Sequence, residues 1–253
     1  ACRRLDRIEE ALEHYRAACS LATPEPDWLE SLGELQAETG DFETAAVSLG
    51  AAVALCPEQS AWHDALGQAL AECGRWSEAA AAFLEAHALE PGRPDVGRRL
   101  GRARLVAGDA AGAVAVLRGV VEAAPADASA AALLGAALAG LGEWQSARRE
   151  LVRAVELDPG WPGDHLLLAR LAREAGDADG AVAHARAAAE LAPASLLVAA
   201  EVDLARQALS ATPPSQAVSP SGLGPTAVHG RTATGSVGAP GWKSCGRNSS
   251  PWR

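Results

Sequence analysis

The chain has 253 residues, is 49% hydrophobic but only 4% aromatic, and carries a formal net charge of −10. Most of its hydrophobic residues are Ala, Leu and Val, a composition that favours helix over sheet. The acidic balance argues against binding to a phosphate backbone, and charged residues recur too often up to about residue 210 for a membrane-spanning helix. We therefore expect a helical protein that neither binds nucleic acid nor inserts into a membrane.

A period of 34 residues organises most of the chain. Five consecutive blocks run from 26 to 195 without an insertion or deletion. Every block has Leu at position 7, Gly at position 15, Ala at position 20 and Pro at position 32. Residues 1–25 precede the first block, and the spacing of Ala11, Tyr15 and Ala18 predicts that they contain the second helix of a partial repeat.

Each invariant position has a physical role in a pair of antiparallel helices. Small residues at positions 8 and 20 let the two backbones approach. Leu at position 7 and larger residues at position 24 fill the interface between the two helices, which we call the seam. Gly at position 15 ends the first helix in the left-handed conformation, and Pro at position 32 stops the second. The pattern predicts five helical hairpins over 26–195, a capping helix over 196–210, and a disordered Pro/Gly/Ser-rich tail over 211–253.

These columns resemble the motif of the tetratricopeptide repeat family, which has Leu-Gly, a central Gly, an Ala and a closing Pro at the same offsets. The resemblance covers residues 26–195 in full. It implies an all-α, right-handed α-solenoid of antiparallel helix pairs. It also implies a non-catalytic interaction scaffold whose first helices form a concave groove that binds a peptide segment of a partner protein.

The resemblance further implies which residues face the groove, because the family uses positions 2, 5, 9, 12 and 13 of each repeat. The candidate partner-binding residues at these positions are Asp27, Glu30, Glu34, Asp64, Gln68, Arg98, Arg102, Ala132, Ala136, Leu166, Arg170 and Arg173. Such a groove is acidic in its first two repeats, and it has arginines on both sides of an alanine floor further along. We therefore expect a protein or peptide partner with acidic residues flanking small apolar ones.

Other interpretations of the repeats remain open. One family subset grips the C-terminal carboxylate of chaperones with Lys and Asn at positions 5 and 9, and Glu30, Glu34, Asp64 and Gln68 here disfavour that activity. The groove charges could instead only keep the solenoid soluble. As an alternative to a free-standing scaffold, the missing initiator Met and the start within a repeat suggest the repeat portion of a larger enzyme, for example a glycosyltransferase fusion.

The sequence contains no motif for catalysis or metal binding. It lacks G-x-x-x-x-G-K-[ST], H-E-x-x-H and G-x-S-x-G, and its five cysteines form no C-x-x-C. The six histidines are interpreted as falling on different repeats, too far apart to share a metal or a substrate. We therefore expect no enzymatic activity, no metal and no cofactor, and the scattered cysteines favour a reducing, cytoplasmic location.

Overall fold

The computed structural model describes residues 10–15, 17 and 25–211. Residues 10–15 and 17 are helical, and eleven further helices follow between residues 26 and 211. Other parts of the predicted partial repeat, and the predicted tail beyond residue 211, lie outside the described residues. The eleven helices are α1 (Pro26–Glu38), α2 (Phe42–Leu55), α3 (Ser60–Glu72), α4 (Trp76–Leu89), α5 (Pro94–Val106), α6 (Ala110–Ala123), α7 (Ala128–Gly140), α8 (Trp144–Leu157), α9 (Pro162–Glu174), α10 (Ala178–Leu191) and α11 (Leu196–Ala211).

The helices stack as hairpins in chain order. Each odd-numbered helix from α1 to α9 packs against the next even-numbered one, which in turn packs against the first helix of the following repeat. Helix α11 packs on α10 and α9 at the end of the stack. The predicted all-α solenoid of antiparallel helix pairs is thus confirmed. None of the described helices is long and apolar enough to cross a membrane.

The turn inside each hairpin has the same backbone conformation in all five repeats. The glycine at position 15 has a φ between +75° and +90° in every copy, the left-handed region that a side chain disfavours. Next to it, Asp41, Asp109 and Asp177 each accept a hydrogen bond from a backbone N–H in the first turn of the second helix. The predicted left-handed glycine is therefore confirmed.

Complementary residue sizes bring the two helices of a hairpin together. A Cβ on Gly33 would lie 2.6 Å from Cγ of Leu49, and a Cβ on Gly101 would lie 2.5 Å from Cγ of Leu117. The last repeat has Ala at both equivalent positions, Ala169 and Ala185, and both are fully buried. A glycine thus faces a large side chain in four repeats, and two small residues take these positions in the last repeat.

Helix α11 covers the last hairpin with one face only. Val198 and Ala205 are buried, whereas Leu196 and Leu197 are 87% and 65% exposed. An ion pair between Arg173 Nε and Glu201 Oε1, at 3.2 Å, ties α11 to α9. These contacts pack α11 against the last hairpin.

Candidate partner-binding groove

The first helices of the five repeats, α1, α3, α5, α7 and α9, form one surface of the solenoid, which we call the groove face. Two cavities open on it, and Arg102 of α5 lines both. The N-terminal cavity, of about 880 Å³, involves the first three repeats; the C-terminal cavity, of about 230 Å³, lies beside α7 and the start of α9. These two cavities group side chains of several repeats at two places along the groove face.

The N-terminal cavity has acidic and aromatic walls. Its lining includes Glu34 of α1 and Gln68 of α3, two residues that the sequence assigned to the groove. Aromatic side chains of the second helices also reach it, among them Trp76, whose ring centroid lies 5.6 Å from Cζ of Arg102. A cation at this distance over an indole ring is attracted to the ring face. Arg102 is thus held at the boundary of the two cavities.

The C-terminal cavity combines an apolar floor with two carboxylates. Ala132 and Ala136, which the sequence assigned to the groove, line the cavity together with Asp158, Trp161 and Asp164, which it did not. Asp164 is only 3% exposed, and its Oδ1 atom has no hydrogen-bond partner. Burial, together with the neighbouring charge of Asp158, raises the pKa of Asp164 to about 6.

Three of the predicted groove arginines are paired with carboxylates of the same chain. Arg98 contacts Asp127 at 3.2 Å, Arg170 contacts Glu174 at 3.2 Å, and Arg173 makes the contact with Glu201 described above. Asp127 is also the N-cap of α7 and accepts a hydrogen bond from the N–H of Ala130. The basic half of the groove therefore has less unpaired positive charge than the sequence suggested.

Asp64 occupies a structural rather than an open position. It is 6% exposed, and both of its carboxylate oxygens accept hydrogen bonds from Nη1 of Arg99, at 2.7 and 2.8 Å. Arg93 approaches the same carboxylate at 3.7 Å. Burial nonetheless raises the pKa of Asp64, against the opposing effect of Arg99. This network joins the second repeat to the third.

The remaining candidates lie on the groove face away from the two cavity linings. Asp27 is exposed in the first turn of α1, and Leu166 is half-buried on α9. Glu30 is half-buried on α1, where burial and the nearby charge of Glu34 raise its pKa. The structure therefore places five of the twelve candidates, Glu34, Gln68, Arg102, Ala132 and Ala136, in a cavity wall.

Two histidines that the sequence placed on different repeats are in contact. His165 and His184 both belong to the fifth repeat, and their Nδ1 atoms lie 3.4 Å apart across the α9–α10 hairpin. Burial is the main cause that lowers the pKa of His184, and His165 adds to it. The interpretation of scattered histidines was wrong here because positions 4 and 23 of one repeat face each other. Within the described residues, no three His, Cys, Asp or Glu side chains form a group that could hold a metal ion.

Comparison with protein-family models decides the family. One model described as tetratricopeptide repeat matches residues 1–60 and 31–94, and a second matches residues 70–138 and 105–171. The chain belongs to the tetratricopeptide repeat family. Members of this family are generally protein-interaction scaffolds and are typically non-catalytic, as the resemblance implied. Among curated proteins, none matches this chain.

Solved structures share this tetratricopeptide repeat fold. MamA 41-end from Desulfovibrio magneticus RS-1 is 26% identical with a TM-score of 0.62, covering 68% of this chain and 97% of that one. A MamA RS-1 double mutant is 27% identical with a TM-score of 0.61, and the match covers 66% of this chain and 93% of that one. YrrB, described as a tetratricopeptide repeat protein with an unusual peptide-binding site, is 18% identical with a TM-score of 0.62. The match covers 75% of this chain and 97% of that one. The likeness to YrrB concerns the fold alone.

Proposed function

We propose that this protein is a non-catalytic scaffold that binds a peptide segment of a partner protein along its groove face. The observation that carries the proposal is the pair of cavities that share Arg102. Both are open to solvent, and their volumes of about 880 and 230 Å³ leave room for side chains of a bound segment. In YrrB the same fold has a peptide-binding site, which agrees with this use of the groove.

Arg102 is the side chain best placed to hold an acidic residue of the partner. It lies between the two cavities, and its planar guanidinium suits a carboxylate. Glu34 in the N-terminal cavity repels the same acidic residues, and we propose that this repulsion sets the direction in which the segment binds.

The proposal is tested with a random peptide library displayed against the full chain. Selected peptides are then titrated against wild type, Arg102→Glu and the control Arg149→Glu, which changes an exposed arginine on α8, the second helix of its repeat. We expect Arg102→Glu to weaken binding about tenfold or more and Arg149→Glu to change it little. Added salt should weaken wild-type binding because surface charges are screened.

Two results would contradict the proposal. The groove is not the binding surface if the two variants bind the selected peptides equally while circular dichroism shows both are folded. A selection that yields no peptide above background would likewise argue against peptide binding. The cytoplasmic location, the lack of nucleic-acid binding and the alternative of a larger enzyme remain predictions, and the complete reading frame would test the last of these.

A further inference from the structure

The C-terminal cavity is larger than one small apolar side chain would fill. Its volume is about 230 Å³, several times the roughly 30 Å³ of one water molecule in the liquid. Ala132, Leu133, Ala136 and Trp161 give it mainly apolar walls. A small apolar residue resting on the alanines, as expected from the sequence, would leave most of this volume empty. The cavity therefore fits a long side chain with an aliphatic stem.

The chemistry at the end of that stem is indicated by Asp164. This carboxylate is nine-tenths buried or more, yet its Oδ1 atom has no hydrogen-bond partner. Asp64 is buried to a similar degree, but Arg99 satisfies both of its oxygens. A buried carboxylate without a partner is costly, and a cation that pairs with it removes much of that cost. The Oδ1 atom of Asp164 thus lacks a donor of the kind that Arg99 provides for Asp64.

The carboxylate of Asp158 makes the binding of a cation at the same place more favourable. It lines the cavity with Asp164, and one of its oxygens accepts a hydrogen bond from the N–H of Gly160 at 3.0 Å. Two carboxylates that are close enough to influence each other favour a shared positive charge. Arg102, also in the lining, has its guanidinium carbon 5.6 Å from the Trp76 ring centroid, beside the N-terminal cavity.

We propose that the C-terminal cavity is a subsite for a lysine side chain of the bound segment. The aliphatic stem lies against Ala132, Leu133 and Trp161, and the ammonium group pairs with Asp158 and Asp164. Lysine fits better than arginine because its ammonium is compact and follows a flexible apolar stem, whereas a guanidinium is broad and planar. The inference rests on the proposed function, since a segment on the groove face must present the lysine, and it replaces the small apolar residue expected there.

The subsite is tested with three capped amino acids: N-acetyl-lysine N-methylamide, its norleucine analogue, which lacks the ammonium, and its glutamate analogue. Each is titrated into the full chain at neutral pH. The indole N–H resonance of Trp161 reports binding by NMR, and Trp161→Phe assigns that resonance among the seven tryptophans. We expect the lysine probe to bind about tenfold more tightly than the norleucine probe, because it adds a hydrogen bond between charged groups. The glutamate probe should not bind.

Matched variants separate charge from shape. Asp164→Asn keeps the side-chain shape and should abolish the preference for lysine over norleucine. Asp179→Asn, which removes an exposed carboxylate on α10, should preserve it. Ala132→Leu should exclude both probes by filling the cavity. The inference is overturned if norleucine binds as well as lysine to wild type, or if Asp164→Asn retains the preference.

The pH dependence provides a second readout. Since the ammonium pairs with ionised Asp164, whose pKa is about 6, lysine binding should weaken below that pH while norleucine binding stays constant. A lysine affinity that is unchanged across that pKa would contradict the inference.

Failure of the subsite can be told apart from failure of the proposed function. If selected peptides lose affinity with Arg102→Glu but not when each of their lysines is replaced by norleucine, the subsite is wrong and the function stands. If the lysine probe binds at Trp161 but the library yields no peptide for the groove face, the proposed function is wrong.

Discussion

The seam between the helices of a hairpin gives a sharp test of how the repeat motif stabilises the fold. We predict that Gly101→Ala destabilises the protein although alanine is the better helix former. The new Cβ would lie 2.5 Å from Cγ and from one Cδ of Leu117, well inside the roughly 3.5 to 4.0 Å of a favourable carbon contact. Leu117 is fully buried, so its side chain cannot move away into solvent.

The magnitude follows from two opposing effects. Overpacking of a tight core costs about 1 to 3 kcal/mol, while replacing a helical glycine by alanine gains about 1 kcal/mol. The free energy of unfolding of Gly101→Ala should therefore fall by about 0 to 2 kcal/mol. Leu117→Ala alone should cost about 2 to 5 kcal/mol through the cavity it leaves.

The double variant reproduces the last repeat, where Ala169 and Ala185 occupy these two positions. With Leu117 shortened, the alanine methyl at position 101 no longer overpacks the seam and fills part of the cavity. The cost of Gly101→Ala with Leu117→Ala should therefore be smaller than the sum of the single costs by about 1 to 3 kcal/mol. The extent of this coupling measures the steric contact directly.

Urea unfolding followed by far-UV circular dichroism provides the assay. Gly119→Ala is the matched control, because Gly119 is an exposed glycine of α6 in the same repeat, with open space around its Cβ position. This control should gain up to about 1 kcal/mol. The reasoning is refuted if Gly101→Ala stabilises the protein as Gly119→Ala does, or if the two seam substitutions are additive.

Two other predictions concern the end of the chain and the buried carboxylate. Removing residues 212–253 should leave the Tm unchanged. Removing residues 196–253 should lower the Tm and cause aggregation, because Val198 and Ala205 would no longer cover the last hairpin. A lower Tm from the shorter deletion would contradict this prediction. The pKa of Asp164 rises from its ordinary value of 3.8 to about 6 on folding, so its ionisation destabilises the folded state as the pH increases. Relative to wild type, the free energy of unfolding of Asp164→Asn in urea should therefore increase by up to about 3 kcal/mol between about pH 4 and about pH 7. A difference between the two proteins that does not change with pH would refute the raised pKa of Asp164.

The repeating features of this protein could be predicted from its sequence. The 34-residue period places each hairpin, since the glycine at position 15 and the proline at position 32 act through local backbone geometry that every copy repeats. The size relation in the seam was also visible, because Gly101 and Leu117 occupy fixed positions of one period. Such features depend only on residues within a single hairpin.

Features that differ between repeats required the tertiary structure. The pairing of Arg98 with Asp127 joins neighbouring repeats, and a search for opposite charges slightly less than one period apart could have found it. The contact of His165 with His184 joins positions 4 and 23 of the fifth repeat, which the invariant columns of the repeat do not mark. No sequence signal indicated the cavity beside Asp164. Its lining comes from the third, fourth and fifth repeats, so the cavity is a property of the packed stack rather than of any one repeat.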